Sequence, residues 1–455
     1  MVMRRVSLLL ALAACGGSTQ SARPAEPAGD PQGAHRAQVV ANVQPLIDAE
    51  LVSGVVVGLY EAGKIEIYGF GKGPGGKPPT GTTLFELGAV TKVFTSLLLA
   101  DSVQRREVGL DQSVAELLPV GVTAPTKDKH EITLRHLSVH SSGLPALPPS
   151  LNAGPNPYAT YNENLLLQDL VRTQLDTAPG ERIHYSEYGV GLLGYVLGRK
   201  IGGGYPTALG KRVLQPLGLT STFVQVPANA AARRASGTNE DLLPAPAWTF
   251  DALAGAGGLT STARDLIALV AAELDANAGS HGTLRPAMRL TQEAQLEKTG
   301  ENVGLGWQID SVGRYWHNGG TGGFHSFIGF DPKTRRGVVV LASTNSTFID
   351  QLATQLYKVL ANEAVKPFAF PAVAEMTSYA GRYNFQGTTL TITVVGKRLY
   401  LEGPGEPKIR MVPISDKEFW IERLGAVAIF EREAEKVKRA IFIVGNKQLS
   451  APRIE

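Results

Sequence analysis

The chain has one cysteine in 455 residues. A single thiol excludes an intramolecular disulfide, a four-cysteine metal site and a CxxC redox pair. Excess charge is also lacking: 44 Lys and Arg stand against 41 Asp and Glu, a net +3. With no long basic stripe, no nucleic-acid partner is expected. Apolar runs of the ~20 residues that a membrane-spanning helix needs are missing too. What remains is ordinary material for folding, 43% hydrophobic and 19% charged. That composition argues against disorder over most of the length. A chain this long can bury a large core and divides into roughly two or three units.

The one cysteine, Cys15, closes an N-terminal run with a distinct character. Arg4 and Arg5 form a positive start, and Val6 to Ala14 a short apolar stretch. Too short to span a bilayer, it reads as a cleaved export signal over 1–15. Leu12-Ala13-Ala14-Cys15 resembles the bacterial lipobox, in which the cysteine becomes the lipidated first residue. Residues 16–35, rich in Gly, Ser, Pro and Ala, cannot bury a core and read as a flexible tether. The expected location is the bacterial cell envelope, with the chain anchored to a membrane through Cys15, on the periplasmic or outer-surface side.

Beyond the tether, Val39, Val43, Leu46, Ile47 and Leu51 share a helix face. Gly54–Tyr60 and Ile65–Phe70 read as a hairpin about an Ala62-Gly63-Lys64 turn. A second strand-rich stretch runs from Gly306 to Ser343, and 89–300 is mostly helical pattern. Strands at both ends with helices between predict an α+β domain over 36–365, its antiparallel sheet closed by both chain ends. From 371 to 455 the pattern changes to short apolar or alternating strands, at 379–383, 390–394, 398–401, 419–421, 428–430 and 440–444. They predict a small all-β sandwich or barrel, with packing as its expected role.

Three runs carry candidate chemistry. Ala89-Val-Thr-Lys92 places a lysine three residues after an alanine at a helix start, so both face one cavity. Free amides and the positive dipole end there favour a developing anion. Tyr185-Ser-Glu187 puts a phenol two residues ahead of a carboxylate. Trp316-His317-Asn318-Gly319-Gly320-Thr321 is a glycine-rich strand that a ligand backbone could approach closely.

In this order the three runs resemble the S-x-x-K, Y-x-N and K-T-G or H-x-G motifs of the serine β-lactamase/penicillin-binding-protein family, in its class C β-lactamase-related branch. Leu134-Arg-His136-Leu-Ser-Val-His140-Ser-Ser-Gly143-Leu-Pro145 and Gly257-Gly-Leu-Thr-Ser261-Thr-Ala-Arg264-Asp-Leu266 resemble two supporting signatures and read as structural. The resemblance also covers the appended β-rich C-terminal domain. It implies catalytic positions at 89, Lys92, Tyr185 and His317, ligand contacts at Glu187, Gly319, Gly320 and Thr321, and an oxyanion hole from the amides of Ala89 and Gly320. It implies no cofactor. His136 and His140 stand four apart, but no third ligand is evident and the signature accounts for both, so no metal is expected.

Two residues depart from the pattern. Ala89 stands where the family keeps its nucleophilic serine, and a methyl group has no lone pair with which to attack. Glu187 stands where the family has asparagine. A carboxylate only accepts, and would pair with Lys92 and keep it charged, a poor base. The expected function is a pseudoenzyme of the envelope, retaining a pocket for a peptidoglycan peptide, a small acyl ligand or a β-lactam-like ligand. The alternative is a serine hydrolase of peptidase, β-lactamase or esterase type whose nucleophile has been substituted in this sequence. Ligand identity and oligomeric state stay open.

Overall fold

A computed structural model of the chain describes residues 33–275, 284–295, 302–372 and 376–454. The export signal, Cys15 and most of the tether lie outside the described residues.

The central sheet takes both of its halves from opposite ends of the main domain. Strands β1 (Gly54–Glu61) and β2 (Lys64–Gly71) form the expected hairpin. Strands β3 (Phe85–Glu86) and β4 (Thr260–Ser261) form a two-stranded sheet of their own, and far along the chain come β5 (Gln308–Ile309), β6 (Tyr315–Gly320), β7 (His325–Asp331) and β8 (Arg336–Ala342). The antiparallel order is β2-β1-β8-β7-β6-β5, so β1 joins β8 across nearly 300 residues of chain.

The runs Val55-Val56-Val57 and Val338-Val339-Val340 are buried throughout because helices cover both sheet faces. Val55, Val57, Val338 and Val340 face helices α1 (Arg36–Asp48) and α10 (Phe348–Leu360). Val56, Val339, Ile328 and Phe330 face the helical half, where α8 (Ala263–Leu274) packs on the sheet. That half also holds α3 (Leu134–Ser138), α4 (Glu163–Arg172), α5 (Glu187–Ile201), α6 (Gly204–Leu209), α7 (Ala254–Gly257) and α9 (Leu284–Gln292), and at its centre lies α2 (Thr91–Gln104), buried at every residue from Thr91 to Ser102. A helix buried on every face is a core helix even though it carries several polar residues, and Lys92 is the lone cation on it before Arg105.

The C-terminal unit is an eight-stranded antiparallel meander, β9 (Gly381–Phe385), β10 (Thr388–Val395), β11 (Arg398–Glu402), β12 (Ile409–Pro413), β13 (Glu418–Ile421), β14 (Ala426–Glu433), β15 (Lys436–Val444) and β16 (Lys447–Pro452). The Tyr383–Arg453 bridge and the Ile454 amide, donating to the Arg382 carbonyl at 2.8 Å, bring the last strand back to the first. Of the sandwich and barrel expected, the structure is barrel-like. Its interior is packed by Tyr383, Leu399, Phe419, Phe430 and Phe442, leaving a filled core.

Two barrel strands, β12 and β16, were not among the six expected. β12 ends in proline, and β16 carries Lys447, Gln448 and Ser450 with little alternation. Closure of the barrel recruits them, because an unpaired strand edge leaves backbone groups without partners.

Candidate functional site

Strand β6 and the head of α2 meet backbone to backbone. Gly88 has φ +51°, and a Cβ there would lie 2.5 Å from the Gly320 carbonyl oxygen. A Cβ on Gly319 would lie 2.2 Å from the Leu87 carbonyl oxygen and 2.5 Å from the Ala89 nitrogen. Only glycine permits this approach. The Ser326 hydroxyl fastens the junction by donating to the Leu87 carbonyl at 2.6 Å. The backbones of Ala89 and Gly320 are therefore held side by side, as an oxyanion hole requires. Ala89 itself lies, half-buried, in a one-turn 3₁₀ segment, Gly88–Val90, that runs directly into α2.

Lys92 follows one turn later, 1% exposed. Its Nζ donates to the Ala256 carbonyl at 2.7 Å and lies 5.0 Å from the centre of the Tyr185 ring. The Glu187 Oε1 is 4.0 Å away. The expected Lys92–Glu187 pairing is thus a charge contact at long range, and the lysine's close hydrogen bond goes to backbone. These contacts stand in for the water that burial takes from the amino group.

Glu187 opens α5 (Glu187–Ile201), a position favourable to a carboxylate. Ser186 caps the helix, its Oγ accepting from the Gly189 amide at 2.9 Å and donating to the Pro145 carbonyl at 2.7 Å. The Glu187 Oε2 accepts a hydrogen bond from the Tyr158 hydroxyl. Burial and this carboxylate push the Tyr158 phenol far above its ordinary range, so it stays a donor. Its ring stacks on Phe250 at 4.3 Å between centres, with Trp248 at 5.3 Å.

Tyr185 is 41% exposed and rests on the His140 ring at 4.4 Å. His140 adopts φ +61°, a left-handed conformation costly for a side-chain-bearing residue. Its Nδ1 faces the Ser186 amide at 3.1 Å and must accept, which leaves any ring proton on Nε2. Burial, then the nearby Lys92 charge, holds it far below the usual histidine range.

His317 is buried on β6. Its Nδ1 is 2.6 Å from the Asn318 carbonyl, which only accepts, so Nδ1 carries the proton and Nε2 the lone pair. Burial and Lys92 lower it to about 4. At neutral pH it is an uncharged imidazole.

The structure thus gathers Ala89, Lys92, Tyr185, Glu187, His317, Gly319 and Gly320 around one centre. Thr321 is placed differently. It is 2% exposed, with its hydroxyl beside the buried carboxyl of Glu86, so its side chain is not offered to a ligand. His136 is committed to a capping box, its Nδ1 accepting from the Thr133 amide at 3.2 Å. Among the described residues no group of three metal-ligating side chains comes together.

The model of the Beta-lactamase family matches residues 39–362. The chain belongs to the β-lactamase family. It is 28% identical over 340 residues to a β-lactamase of Escherichia coli strain K12, covering 67% of this chain and 87% of that one. It is 27% identical over 343 residues to penicillin-binding protein 4 of Amycolatopsis lactamdurans, covering 68% and 86%. A solved class C β-lactamase superposes with TM-score 0.64 at 25% identity, covering 73% of this chain and 97% of that one. A β-lactamase/D-alanine carboxypeptidase from Pseudomonas syringae shares the fold, with TM-score 0.64 at 23% identity over 73% of this chain and all of that one. The family match ends before the barrel-like unit.

Four residues of this β-lactamase-family site were not expected there: His140, Tyr158, Trp248 and Phe250. His140 stands in a signature that reads as structural. The other three sit in loops, where no periodicity signals their convergence.

Proposed function

We propose that this β-lactamase-family chain is a pseudoenzyme of the bacterial cell envelope, anchored through Cys15, that binds an acyl or peptide ligand without forming an acyl-enzyme. One observation carries the reading: a methyl group, Ala89, occupies the turn beside Lys92 and Gly320, and the hydroxyls next to it are committed elsewhere. Thr91 Oγ1 accepts from the Leu259 amide at 3.1 Å, and Ser96 is bonded to Ser138 at 2.8 Å, both fully buried. The backbone that would bind an oxyanion is kept, because alanine retains its amide. The names of the relatives, β-lactamases and a penicillin-binding protein, supply the ligand class: a β-lactam-like compound or a peptidoglycan peptide.

The test is incubation with a fluorescent penicillin, read by anisotropy and intact mass. Reversible binding with no mass change is expected. A stoichiometric adduct at the pocket overturns the proposal.

A second reading is favoured by the surviving Lys92–Tyr185 contact at 5.0 Å. On it, the chain is a serine hydrolase whose nucleophile has been substituted, and Ala89→Ser alone restores acylation.

A further inference from the structure

Lys92 is the cation closest to the centre, yet its side chain is 1% exposed and its Nζ is engaged by the Ala256 carbonyl. His317 and His140 are buried, at 3% and 6% exposure. The carboxylate of Glu187 is different: its side chain is 27% exposed. Tyr158 fixes Oε2. Oε1 has only the Lys92 Nζ at 4.0 Å, outside hydrogen-bond range, and accepts no hydrogen bond among the described residues. A carboxylate oxygen at an opening has acceptor capacity to spare. The charge within reach of an entering ligand is therefore negative.

The surroundings agree. Tyr158, which bonds the carboxylate, packs with Phe250 and Trp248 in an aromatic cluster, and the Tyr185 ring, 5.0 Å from the Lys92 Nζ, is partly open to solvent. Aromatic faces beside a carboxylate favour cations over anions. The Tyr158 bond also restrains the carboxylate, which reduces the ordering cost of binding.

Resting on the binding function proposed above, we infer that the site selects ligands with a free amino group, which donates to Glu187 Oε1, over otherwise matched ligands that lack it. The ligand class is a peptide or amide bearing an ammonium group near the carbonyl held by the Ala89 and Gly320 amides. No covalent step is involved.

Calorimetric titration of the full mature protein with two matched pairs tests this. Ampicillin differs from benzylpenicillin by one amino group. D-alanine amide carries a free ammonium where N-acetyl-D-alanine amide carries an uncharged acetamide. We expect the amino member of each pair to bind about tenfold tighter, the worth of one charge-assisted hydrogen bond. In Glu187→Gln that preference falls below about twofold, and in the unmodified protein it shrinks as salt is raised. A thermal melt of Glu187→Gln matching that of the parent shows that the fold is intact. Equal or tighter binding of benzylpenicillin and N-acetyl-D-alanine amide overturns the inference and leaves the binding function standing. Survival of the preference in Glu187→Gln overturns it as well. If none of the four ligands binds, both proposals fall.

Discussion

The ammonium of Lys92 lies 4.0 Å from Glu187 Oε1, while its hydrogen bond runs to the Ala256 carbonyl at 2.7 Å. Two opposite charges at this distance in a half-buried pocket attract strongly, though they do not touch. The consequence is chemical. A lysine nitrogen that donates a hydrogen bond to a backbone carbonyl and faces a carboxylate is poorly arranged to accept a proton from a hydroxyl at position 89.

Restoring the hydroxyl is therefore expected to be insufficient. Ala89→Ser should acylate with a fluorescent penicillin only at trace rate. Ala89→Ser combined with Glu187→Asn should label about 100-fold faster, at the lower end of what a general base contributes. Time-resolved intact mass reads both rates. Equal rates for the single and double variants would show that Glu187 does not restrain the site.

Tyr158→Phe removes the hydroxyl that donates to Glu187 Oε2 and keeps the stack on Phe250. A carboxylate losing a partner in a partly buried setting should cost about 1 to 3 kcal/mol. Urea unfolding followed by circular dichroism measures the loss. Unchanged stability would mean that water replaces the phenol.

Glu273 gives a pH signature away from the site. Fully buried, it accepts from the Gln292 amide at 2.7 Å, and burial raises its carboxyl to about 8. Between pH 4.5 and 8 the folded protein holds a proton there that the unfolded chain has released. Its stabilising contribution is thus fully present below pH 4.5 and is lost as pH rises toward 8, with a slope on the order of 1.4 kcal/mol per unit. Glu273→Gln should flatten that slope and stabilise the protein at pH 8. An identical slope in parent and variant would refute the assignment.

His317 has the opposite sign. Its folded value of about 4 lies below the ordinary 6.5. The unfolded chain takes up this proton first, so the contribution is present above pH 6.5 and fades as pH falls toward 4. Nitrogen NMR of labelled histidine should show a neutral Nδ1–H ring unchanged from pH 8 to 5. A mid-range titration of this ring would falsify it.

The barrel-like unit grips the loop that delivers the aromatic cluster. Arg410, 8% exposed, donates to the carbonyls of Ala49 at 3.0 Å, Glu50 at 2.7 Å and Glu240 at 3.2 Å. Tyr400 donates to Asp241 at 2.6 Å, and Arg423 pairs with Glu240 at 3.0 Å. Trp248 and Phe250 follow in the same loop. Arg410→Met leaves three carbonyls without that donor, so amides in 239–252 should exchange about tenfold faster or more. Unchanged protection there, with a normal melt, would limit the barrel to passive packing.

Much of the architecture was legible in the chain because it is local or periodic. The β1–β2 hairpin follows from two β-branched runs around Ala62-Gly63-Lys64. The shared direction of residues 89 and 92 follows from helical spacing. The order of the motifs pointed to the family that the match over 39–362 establishes. Strand β16 was not legible, since its polar residues acquire a strand's pairing only when β15 and the barrel closure provide it.

What the amino-acid sequence determined alone was the identity of the groups: a methyl at 89, a carboxylate at 187, an imidazole at 317. What tertiary structure decided was their state. Lys92 finds its carbonyl 164 residues away, and Glu187 finds its phenol 29 residues upstream, neither at any helical or strand period. His317 is neutral because burial and a neighbouring ammonium remove the solvent and add the repulsion that a charged ring would have to bear. Spacing along a chain places side chains on a face. The charge each one carries there depends on what the rest of the fold packs against it.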